Sequence, residues 1–356
     1  MTDKLRLLIL LLLSLAVTAC ASPAYYFQAV SGEVRILAKR RPIPEVLNDP
    51  ATPPQTKKQL EQVLRLREFA SRELLLPDNR SYRSYVDLHR PYAAWNVFAA
   101  PELSLEPKTW CFIVAGCVPY RGYFSRAAAE RYAATLKQKG YDVYIGGVLA
   151  FSTLGWFNDP LLNTFIDRPE TDLAGLLFHE LAHQKIYVSG DTSFNESFAT
   201  AVELEGVKRW FDQHGTPQQA EAYRRKLQRR DEFAALVLKH RTHLAEIYAS
   251  NLSNADKRAA KTHEFAELRK DYAALKASWG GDTSFDGWFA QDLNNAQLIA
   301  VGLYTQFVPA FQRLLAHQNG DLAAFYRAVD RLAHLPQTQR DAALRELMTN
   351  LQRDVR

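Results

Sequence analysis

The sequence has little cysteine, little excess charge of either sign, and an N-terminal apolar run that is too short to cross a membrane. It contains three cysteines in 356 residues and carries a formal net charge of +5. So small an excess does not form the basic stripe with interleaved aromatic residues that a nucleic-acid channel needs, and we expect no nucleic-acid partner. Charged residues make up 23% and apolar residues 47% of the chain, which excludes a disordered chain or a coiled coil as a description of the whole protein.

The N-terminal segment has the pattern of an export signal. A basic start is followed by apolar residues from Leu7 to Val17 and then by small residues, whereas a membrane-spanning helix needs roughly 20 apolar residues. We therefore predict a signal peptide over residues 1–19. Residues 17–20 (VTAC) resemble the lipobox of bacterial lipoproteins, which implies a lipid on Cys20 and attachment to a membrane. The alternative for Cys20 is an ordinary exported thiol.

The residues after Cys20 indicate where the lipoprotein would reside. Ala21 and Ser22 follow it, and the absence of Asp at the second position resembles lipoproteins that are sorted to the outer membrane. We expect a lipid-anchored protein that faces the periplasm.

The other two cysteines, Cys111 and Cys117, lie close together in the sequence. In an oxidising periplasm we expect them to form a disulfide. The small loop that it closes around Gly116 would stabilise a local turn. Free thiols are the alternative, and nothing nearby in the sequence completes a four-ligand metal site.

The succession of patterns along the chain predicts an α+β fold whose second half is nearly all helical. Strands are predicted over residues 25–37, at several places between Tyr92 and Tyr123, and over 142–152. Helices are predicted over residues 56–76, 125–139, 171–187 and 194–212, and over most of the chain beyond Pro217. Three histidines, His240, His243 and His263, lie in charged helices of this second half, where we expect solvated faces.

The pentapeptide His179-Glu180-Leu181-Ala182-His183 carries the strongest chemical signal. On a helix, residues i and i+4 lie one turn apart, so the two imidazoles point the same way and can share one ion. Two imidazoles suit Zn²⁺, and a catalytic zinc keeps one position open for water. Glu180 lies beside the metal and is placed to take a proton from the zinc-bound water. The alternative is a helix whose two histidines bind no metal.

A carboxylate on the next predicted helix supplies the third ligand. Glu196 follows His183 by 13 residues, and the loop between them permits a reversal that packs the two helices together. Glu196 also fits a capping box with Ser193. If Asp191 or Thr192 caps the helix instead, Glu196 is free to bind the metal.

Two further residues of this helix are expected to support the ligands. Glu203 lies two turns after Glu196 on the same face, and we expect it to accept a hydrogen bond from an imidazole N–H. It is also the fallback ligand, and a plain salt bridge is a third possibility. We place Asn195 with Glu203 in the layer around the ligands.

These motifs resemble those of the gluzincin peptidases. HELAHQ at 179–184 and FNESFATAVE at 194–203 are similar to the HELAHQ and NEGFA-type elements of the large zinc aminopeptidases, although the gap between them is shorter and no GAMEN-type element precedes them. Residues 25–350 are also similar to a family of bacterial lipoproteins named as aminopeptidases, through YYFQAVSGE (25–33), the segment 110–124, STLGWFNDP (152–160) and VPAF (308–311). The resemblance implies a zincin-like core, in which a mixed sheet accompanies a zinc-binding helix pair.

A peptidase also needs groups that hold the substrate and its transition state. The candidate for an edge strand that pairs with the substrate backbone is formed by Gly146, Gly147 and Val148, with a core strand as the alternative. The candidate donor to the oxyanion is Tyr304, with Tyr187 and Tyr120 as rivals. An aminopeptidase also binds the α-ammonium group of its substrate with a carboxylate, for which we rank Glu102, Asp159 and Asp167 equally.

The sequence therefore predicts a zinc-dependent peptidase, with an aminopeptidase as the preferred subtype, a peptide as the substrate and zinc as the cofactor. An envelope endopeptidase and a non-catalytic envelope binding protein that contains zinc are the alternatives. We divide the chain into the signal peptide (1–19), a lipidated N-terminus and connector (20–55), an α+β zinc catalytic region (56–215) and a helical region that completes the cleft (216–356).

Overall fold

The computed structural model of the chain describes residues 23–112 and 115–349, with residues 303–305 described by their backbone only. The predicted signal peptide and Cys20 lie outside the described residues. The fold is α+β, as the sequence predicts, and helices outweigh strands. None of the helices in the described ranges has both the length and the apolar character needed to cross a membrane.

The first half of the chain alternates helices with short strands. In chain order its elements are α1 (Pro23–Leu37), β1 (Arg41–Pro42), α2 (Ile43–Asn48), α3 (Pro54–Arg72), β2 (Ser84–Val86), β3 (Ala94–Pro101), β4 (Trp110–Phe112), β5 (Gly116–Val118), β6 (Arg121–Tyr123), α4 (Arg126–Lys137), β7 (Tyr141–Val148), β8 (Leu161–Leu162) and α5 (Asn163–Ile166).

The second half is helical throughout the described residues. Its elements are α6 (Glu170–Lys185), α7 (Thr192–His214), α8 (Pro217–Ala249), α9 (Asn254–Ser278), α10 (Asp286–Phe289), α11 (Asn295–Thr305), α12 (Val308–His317), α13 (Leu322–Ala333) and α14 (Gln337–Thr349). The helices predicted over 171–187 and 194–212 are thus confirmed as α6 and α7, with bounds that differ by one or two residues.

The described strands form three small sheets. In the largest paired region, β3 lies between β6 and β7 and is antiparallel to both, so β7 is at the edge of that sheet. A second sheet is mixed, because β2 pairs antiparallel with β1 and parallel with β8. The third is the hairpin of β4 and β5, in which Cys111 lies opposite Cys117 and the two form the predicted disulfide.

The strand predicted over residues 25–37 is wrong, because this segment is helix α1. Its inward-facing residues are spaced by helical turns: Tyr25 packs on the Phe112 ring, Gly32 lies against Phe124, and Ile36 is buried. Tyr, Phe and Val favour strands only weakly, and packing against neighbouring elements overrides that preference. Gly32 is required by this packing, because a Cβ there would lie 2.3 Å from the Phe124 ring.

Buried apolar residues form three clusters, and the first of them surrounds the two helices that carry the candidate ligands. It contains Leu177, Phe178 and Leu181 of α6 and Phe194 and Phe198 of α7. The second cluster lies between α4 and the β6-β3-β7 sheet. The third holds α8 and α9 together as a helical hairpin.

Candidate active site

Helix α6 presents the two histidines of the HELAH motif at the border of the core. Its apolar residues Leu173, Leu177 and Leu181 are buried at helical spacing, which fixes the rotation of the helix. Glu170 and Asp172 lie in the first turn, where carboxylates interact favourably with the helix dipole. Glu170 also accepts a hydrogen bond from Trp210 of α7 at 2.8 Å, which ties the start of one helix to the other.

The cap of helix α7 decides between the two interpretations of Glu196. Asp191 is the N-cap, and its carboxylate accepts a hydrogen bond from the backbone N–H of Phe194 at 3.0 Å. Asp191 is itself held by the guanidinium of Arg340, at 2.8 and 2.7 Å, and both side chains are buried. Because Asp191 caps the helix, the carboxylate of Glu196 is directed to the imidazoles instead.

The atoms that could hold a metal ion lie close together. One nitrogen of His179, one nitrogen of His183 and one carboxylate oxygen of Glu196 all lie within 4.8 Å of one another. Glu196 Oε2 is 3.2 Å from His179 Nε2 and 3.8 Å from His183 Nε2. A tetrahedral zinc with bonds of about 2.0–2.2 Å has ligand atoms roughly 3.3 Å apart, so the two observed distances lie on either side of the required spacing.

The surroundings give these groups unequal charges. Although burial disfavours an imidazolium, the carboxylates of Glu196 and Glu203 raise the pKa of His179 well above its usual value. Burial lowers the pKa of His183 to about 4, which keeps that ring neutral at pH 7. Burial also raises the pKa of Glu196, but the two imidazoles outweigh it and hold that pKa below its usual value. Glu196 is thus an ionised carboxylate and His183 a neutral imidazole, the forms in which both groups bind metals, whereas His179 releases a proton when it binds one.

Glu203 lies behind His179, in the position predicted for an acceptor. Its Oε2 is 3.1 Å from His179 Nδ1, the nitrogen that does not face Glu196. A neutral imidazole carries one N–H, and donating it to Glu203 leaves the Nε2 lone pair directed at the metal position. Glu203 is therefore suited to orienting the ring, and Gly175 of α6 makes room for it, because a Cβ there would lie 3.2 Å from Glu203 Oε1.

Glu180 is 7% exposed and lies next to the candidate ligands. Burial raises the pKa of Glu180 to about 7; nearby Glu196, Asp159 and Glu203 also raise it, and His179 opposes the shift. A carboxylate with a pKa near 7 can take and release a proton at neutral pH. Its chemistry therefore matches the role of a base.

Asn195 contacts the loop between the helices and neither imidazole. Its side-chain oxygen accepts from the Val188 N–H and its amide group donates to the Val188 carbonyl, both at 2.8 Å. Asn195 thus fixes the path of the loop, and its place in the layer around the ligands stays a prediction. The disulfide hairpin supports the same loop, because Gly190 N donates to the Ala115 carbonyl at 3.0 Å.

Gly116 in this hairpin must be glycine on two grounds. Its φ is +73°, a conformation that other residues rarely adopt. A Cβ at Gly116 would also lie 2.6 Å from the backbone nitrogen of Gly190. Gly116 is thus packed directly on the connection between α6 and α7.

A group of polar residues beside Glu180 was not predicted as a unit. Gln184, the last residue of HELAHQ, donates to Asp159 at 3.3 Å and accepts from Asn79 at 2.7 Å. Asp159 is 1% exposed and its pKa is raised to about 6 by burial. Of the carboxylates considered for the substrate amine, Asp159 thus lies near Glu180, whereas Glu102 pairs with Arg258 at 2.9 Å.

Glu33 of α1 belongs to this polar group. Burial and the nearby Asp159 carboxylate raise the pKa of Glu33 to about 7. Its Oε1 is buried and has no hydrogen-bond partner within the described part of the chain. The same holds for the hydroxyl of Tyr82, whose pKa is raised well above its usual value by burial and by Glu180 and Asp159. Glu33 reaches this group because residues 25–37 are part of helix α1. The strand predicted for this segment would not have placed Glu33 here.

Two of the three candidate tyrosines lie within electrostatic reach of Glu196. Burial and the Glu196 carboxylate raise the pKa of both Tyr120 and Tyr187. Tyr304 lies in α11, and its side chain is outside the described residues. Tyr120 and Tyr187 are therefore the two candidate donors that lie near Glu196.

The residues predicted as a substrate edge are the end of β7, at the edge of its sheet. Gly147 lies under the ring of Tyr92, and a Cβ there would be 2.5 Å from ring atoms. At the start of the strand, Asn294 donates to the Val143 carbonyl at 3.1 Å. Residues 146–148 thus lie beyond the position on β7 that Asn294 contacts.

A cavity of about 530 Å³ lies elsewhere, between α7, α8 and α12. Tyr223, Arg230 and Leu315 are among its lining residues, which do not include the candidate ligands. Arg230 lies 3.9 Å from Glu203 Oε1, so the cavity adjoins the carboxylate behind His179. The cavity is therefore separated from the candidate ligands by the side chain of Glu203.

Comparison with known proteins assigns the chain to a family. A family model described as "Putative aminopeptidase" matches residues 24–344. No curated protein matches the chain, and no solved structure does. The match runs from α1 into α14 and includes both helices of the candidate site. Because it covers most of the chain, the protein belongs to this aminopeptidase family.

Proposed function

We propose that the protein is a zinc-dependent aminopeptidase in which His179, His183 and Glu196 hold the metal and Glu180 is the base. The observation that carries the proposal is the convergence of one atom from each of the three ligands within 4.8 Å. The family supports the subtype, since its description names an aminopeptidase.

The donor set suits zinc. Two imidazole nitrogens and one carboxylate oxygen are the ligands of many catalytic zinc sites, which leave a fourth position for water or substrate. Both nitrogens of His179 face carboxylate oxygens, at 3.2 and 3.1 Å, and without a metal the raised pKa of the ring favours an imidazolium that donates to both. A zinc ion between His179 Nε2 and Glu196 would take the place of the Nε2 proton.

The chain's own residues account for the remaining steps. When bound, zinc supplies a Lewis acid that polarises the scissile carbonyl and makes water acidic. Glu180 takes the proton of the attacking water and delivers it to the leaving amine, as its pKa of about 7 allows. Tyr120 or Tyr187, or Tyr304 of α11, donates a hydrogen bond to the developing oxyanion.

A zincin-like, gluzincin-type core is part of the proposal. Support comes from the packing of α6 on α7, which brings HELAHQ beside NESFA, and from the mixed sheet β1-β2-β8 in the same half of the chain. The division into a catalytic region (56–215) and a helical region (216–356) is proposed with it. The helical region supports the metal-binding helix, because Phe307 N donates to Ser197 at 3.1 Å and Arg340 holds Asp191.

Exopeptidase action needs a carboxylate for the substrate's α-ammonium group, and we assign that role to Glu33. Its Oε1 is buried and without a partner in the described residues, so an ammonium group could take that position. Asp159 is less suitable, since Thr153 donates to it twice, at 3.0 and 2.6 Å, and Gln184 donates a third bond. The substrate backbone would pair with Gly146, Gly147 and Val148 at the edge of β7.

The location is proposed from the sequence: a signal peptide over residues 1–19, a lipid on Cys20, and the outer membrane as the site of anchoring, with the enzyme in the periplasm. The disulfide of Cys111 and Cys117 supports an oxidising compartment. Labelling of the cells with a radioactive fatty acid tests it: the wild-type chain should incorporate the label and Cys20→Ala should not. Equal labelling of both would contradict the proposal.

The activity is tested with the Glu180→Gln variant and two forms of each peptide, one with a free N-terminus and one acetylated. We expect the zinc-loaded wild type to release single N-terminal residues from the free form only. Glu180→Gln should retain zinc and lose hydrolysis by several orders of magnitude. Cleavage of the acetylated peptides would identify an endopeptidase, and no hydrolysis by the zinc-loaded wild type would indicate a binding protein.

A further inference from the structure

A second group of histidines and carboxylates lies in the α8–α9 hairpin. His240 and His243 are on α8 and Glu264 is on α9, and one atom from each lies within 4.8 Å of the others. Glu264 Oε1 is 2.6 Å from His240 Nδ1 and 3.1 Å from His243 Nδ1. One carboxylate oxygen thus faces two imidazole nitrogens from the neighbouring helix.

His240 occupies a position that should be apolar. It lies between Val237 and Leu244 along the row of α8 that packs on α9, and those two residues are fully buried. His240 itself is 2% exposed, so the expectation of a solvated face is wrong for this residue. A buried polar ring at the centre of a helical interface costs free energy unless its polar atoms are satisfied.

Both nitrogens of His240 face carboxylates, as those of His179 do. Nδ1 faces Glu264 at 2.6 Å and Nε2 faces Asp271 at 3.1 Å. In each site the two carboxylates come from one helix and are seven residues apart: Glu264 and Asp271 on α9, Glu196 and Glu203 on α7. The second histidine is likewise on the helix of the first, one turn later.

A neutral His240 cannot satisfy both carboxylates, because it carries one N–H. Donation from Nε2 to Asp271 directs the Nδ1 lone pair at the Glu264 oxygen, an unfavourable contact unless a cation lies there. Lys239 also binds Asp271, at 2.9 Å, which helps to keep that carboxylate ionised. Asp271 thus orients the ring and Glu264 presents a charge to it, as in known metal sites with an outer acceptor.

The group opens to solvent on one side. The side chain of His243 is 46% exposed, whereas those of Glu264 and His240 are 13% and 3% exposed. An ion bound by the three would complete its coordination with water on the His243 side, and it would connect α8 to α9 across their interface. Nitrogen and carboxylate donors of this kind favour zinc and neighbouring divalent transition metals over calcium or magnesium.

We propose that His240, His243 and Glu264 form a second divalent transition-metal site, which fastens the α8–α9 hairpin and is separate from the site on α6 and α7. The rival is a metal-free group in which His240 is an imidazolium between two carboxylates. The two differ in one property, since only the first binds metal.

Bound zinc per chain, measured by mass spectrometry of the purified full chain after equilibrium dialysis against zinc, tests the proposal. His243→Ala should bind one zinc fewer than the wild type, whatever the occupancy of the α6–α7 site. His243 is the most exposed of the three, so this variant should fold. His263→Ala is the matched control, because His263 is an exposed histidine next to Glu264, and it should bind as much zinc as the wild type.

A second measurement does not depend on the number of zinc ions bound per chain. Zinc should raise the melting temperature of a His183→Ala protein, in which the α6–α7 site is disabled, and this rise should vanish when Glu264→Gln is added. If His243→Ala binds as much zinc as the wild type, or if the rise in melting temperature persists with Glu264→Gln, the second site does not exist and the imidazolium explanation replaces it.

Discussion

Replacing Glu203 tests the role of the carboxylate behind His179 separately from the role of Glu196, which faces the metal position. Glu203 Oε2 lies 3.1 Å from His179 Nδ1, and the side chain is 24% exposed. Glu203→Gln keeps the size of the side chain and an oxygen that accepts the Nδ1 hydrogen bond, but it removes the negative charge that makes the imidazole a stronger ligand. Glu203→Ala removes both the charge and the acceptor.

The structure sets the expected size of the two effects. Loss of such an acceptor typically lowers metal affinity about 10–100-fold, which is about 1.4–2.8 kcal/mol. Water reaches a quarter of Glu203, and Arg230 lies 3.9 Å from its Oε1, so part of the charge is already screened. We therefore expect about tenfold weaker zinc binding for Glu203→Gln and closer to a hundredfold for Glu203→Ala.

Zinc affinity is measured by competition with a chromophoric chelator, in a His243→Ala background that removes the proposed second site. The matched control is Glu205→Gln, on the same helix, whose carboxylate binds Arg209 at 2.6 Å. The control should bind zinc as tightly as the parent. Unchanged affinity in Glu203→Ala would refute the orienting role of Glu203, and complete loss of zinc in Glu203→Gln would make Glu203 a ligand in place of Glu196.

Three further predictions follow from other contacts. Gly175→Ala puts a Cβ 3.2 Å from Glu203 Oε1, so zinc affinity should fall by less than about tenfold. The melting temperature should not fall, because alanine favours the helix. A lower melting temperature would contradict this prediction. The raised pKa of Glu33 means that the folded state binds its proton more tightly than the unfolded state. The free energy of unfolding should therefore decrease as the pH rises from about 4.5 to about 7, and Glu33→Gln should remove about 1–3 kcal/mol of that decrease in urea unfolding at pH 5 and pH 8. Arg340→Met leaves the buried Asp191 carboxylate without its guanidinium and should cost about 3–5 kcal/mol of stability, so a loss below about 1 kcal/mol in denaturant unfolding would refute the role of this ion pair.

The parts of the site that could be predicted are those fixed by local geometry. His179 and His183 are separated by one helical turn, and Glu196 and Glu203 by two, so helix periodicity alone predicts which of them share a face. The capping of α7 is also a local feature. The sequence predicted two alternatives, a capping box of Ser193 with Glu196 or a cap formed by Asp191 or Thr192. Only the structure chooses Asp191, because the choice depends on Arg340 from the far end of the chain.

The parts that could not be predicted depend on contacts between distant segments. Gln184 meets Asp159 and Asn79 through loops whose paths no periodicity specifies. Glu33 reaches this group because α1 is a helix, and its aromatic and β-branched residues indicated a strand. His240 was assigned to a solvated face because its helix is rich in charge, yet the partner helix α9 covers it. In each case tertiary packing decides what the local pattern leaves open.

A zinc-edge anomalous difference map from crystals of the zinc-loaded protein would show which residues bind the metal, because it locates each ion separately. We expect a peak within about 2.2 Å of His179 Nε2, His183 Nε2 and a carboxylate oxygen of Glu196, with Glu203 hydrogen-bonded to His179 Nδ1. A peak bound by Glu203 in place of Glu196, or no peak between the two histidines, would contradict it.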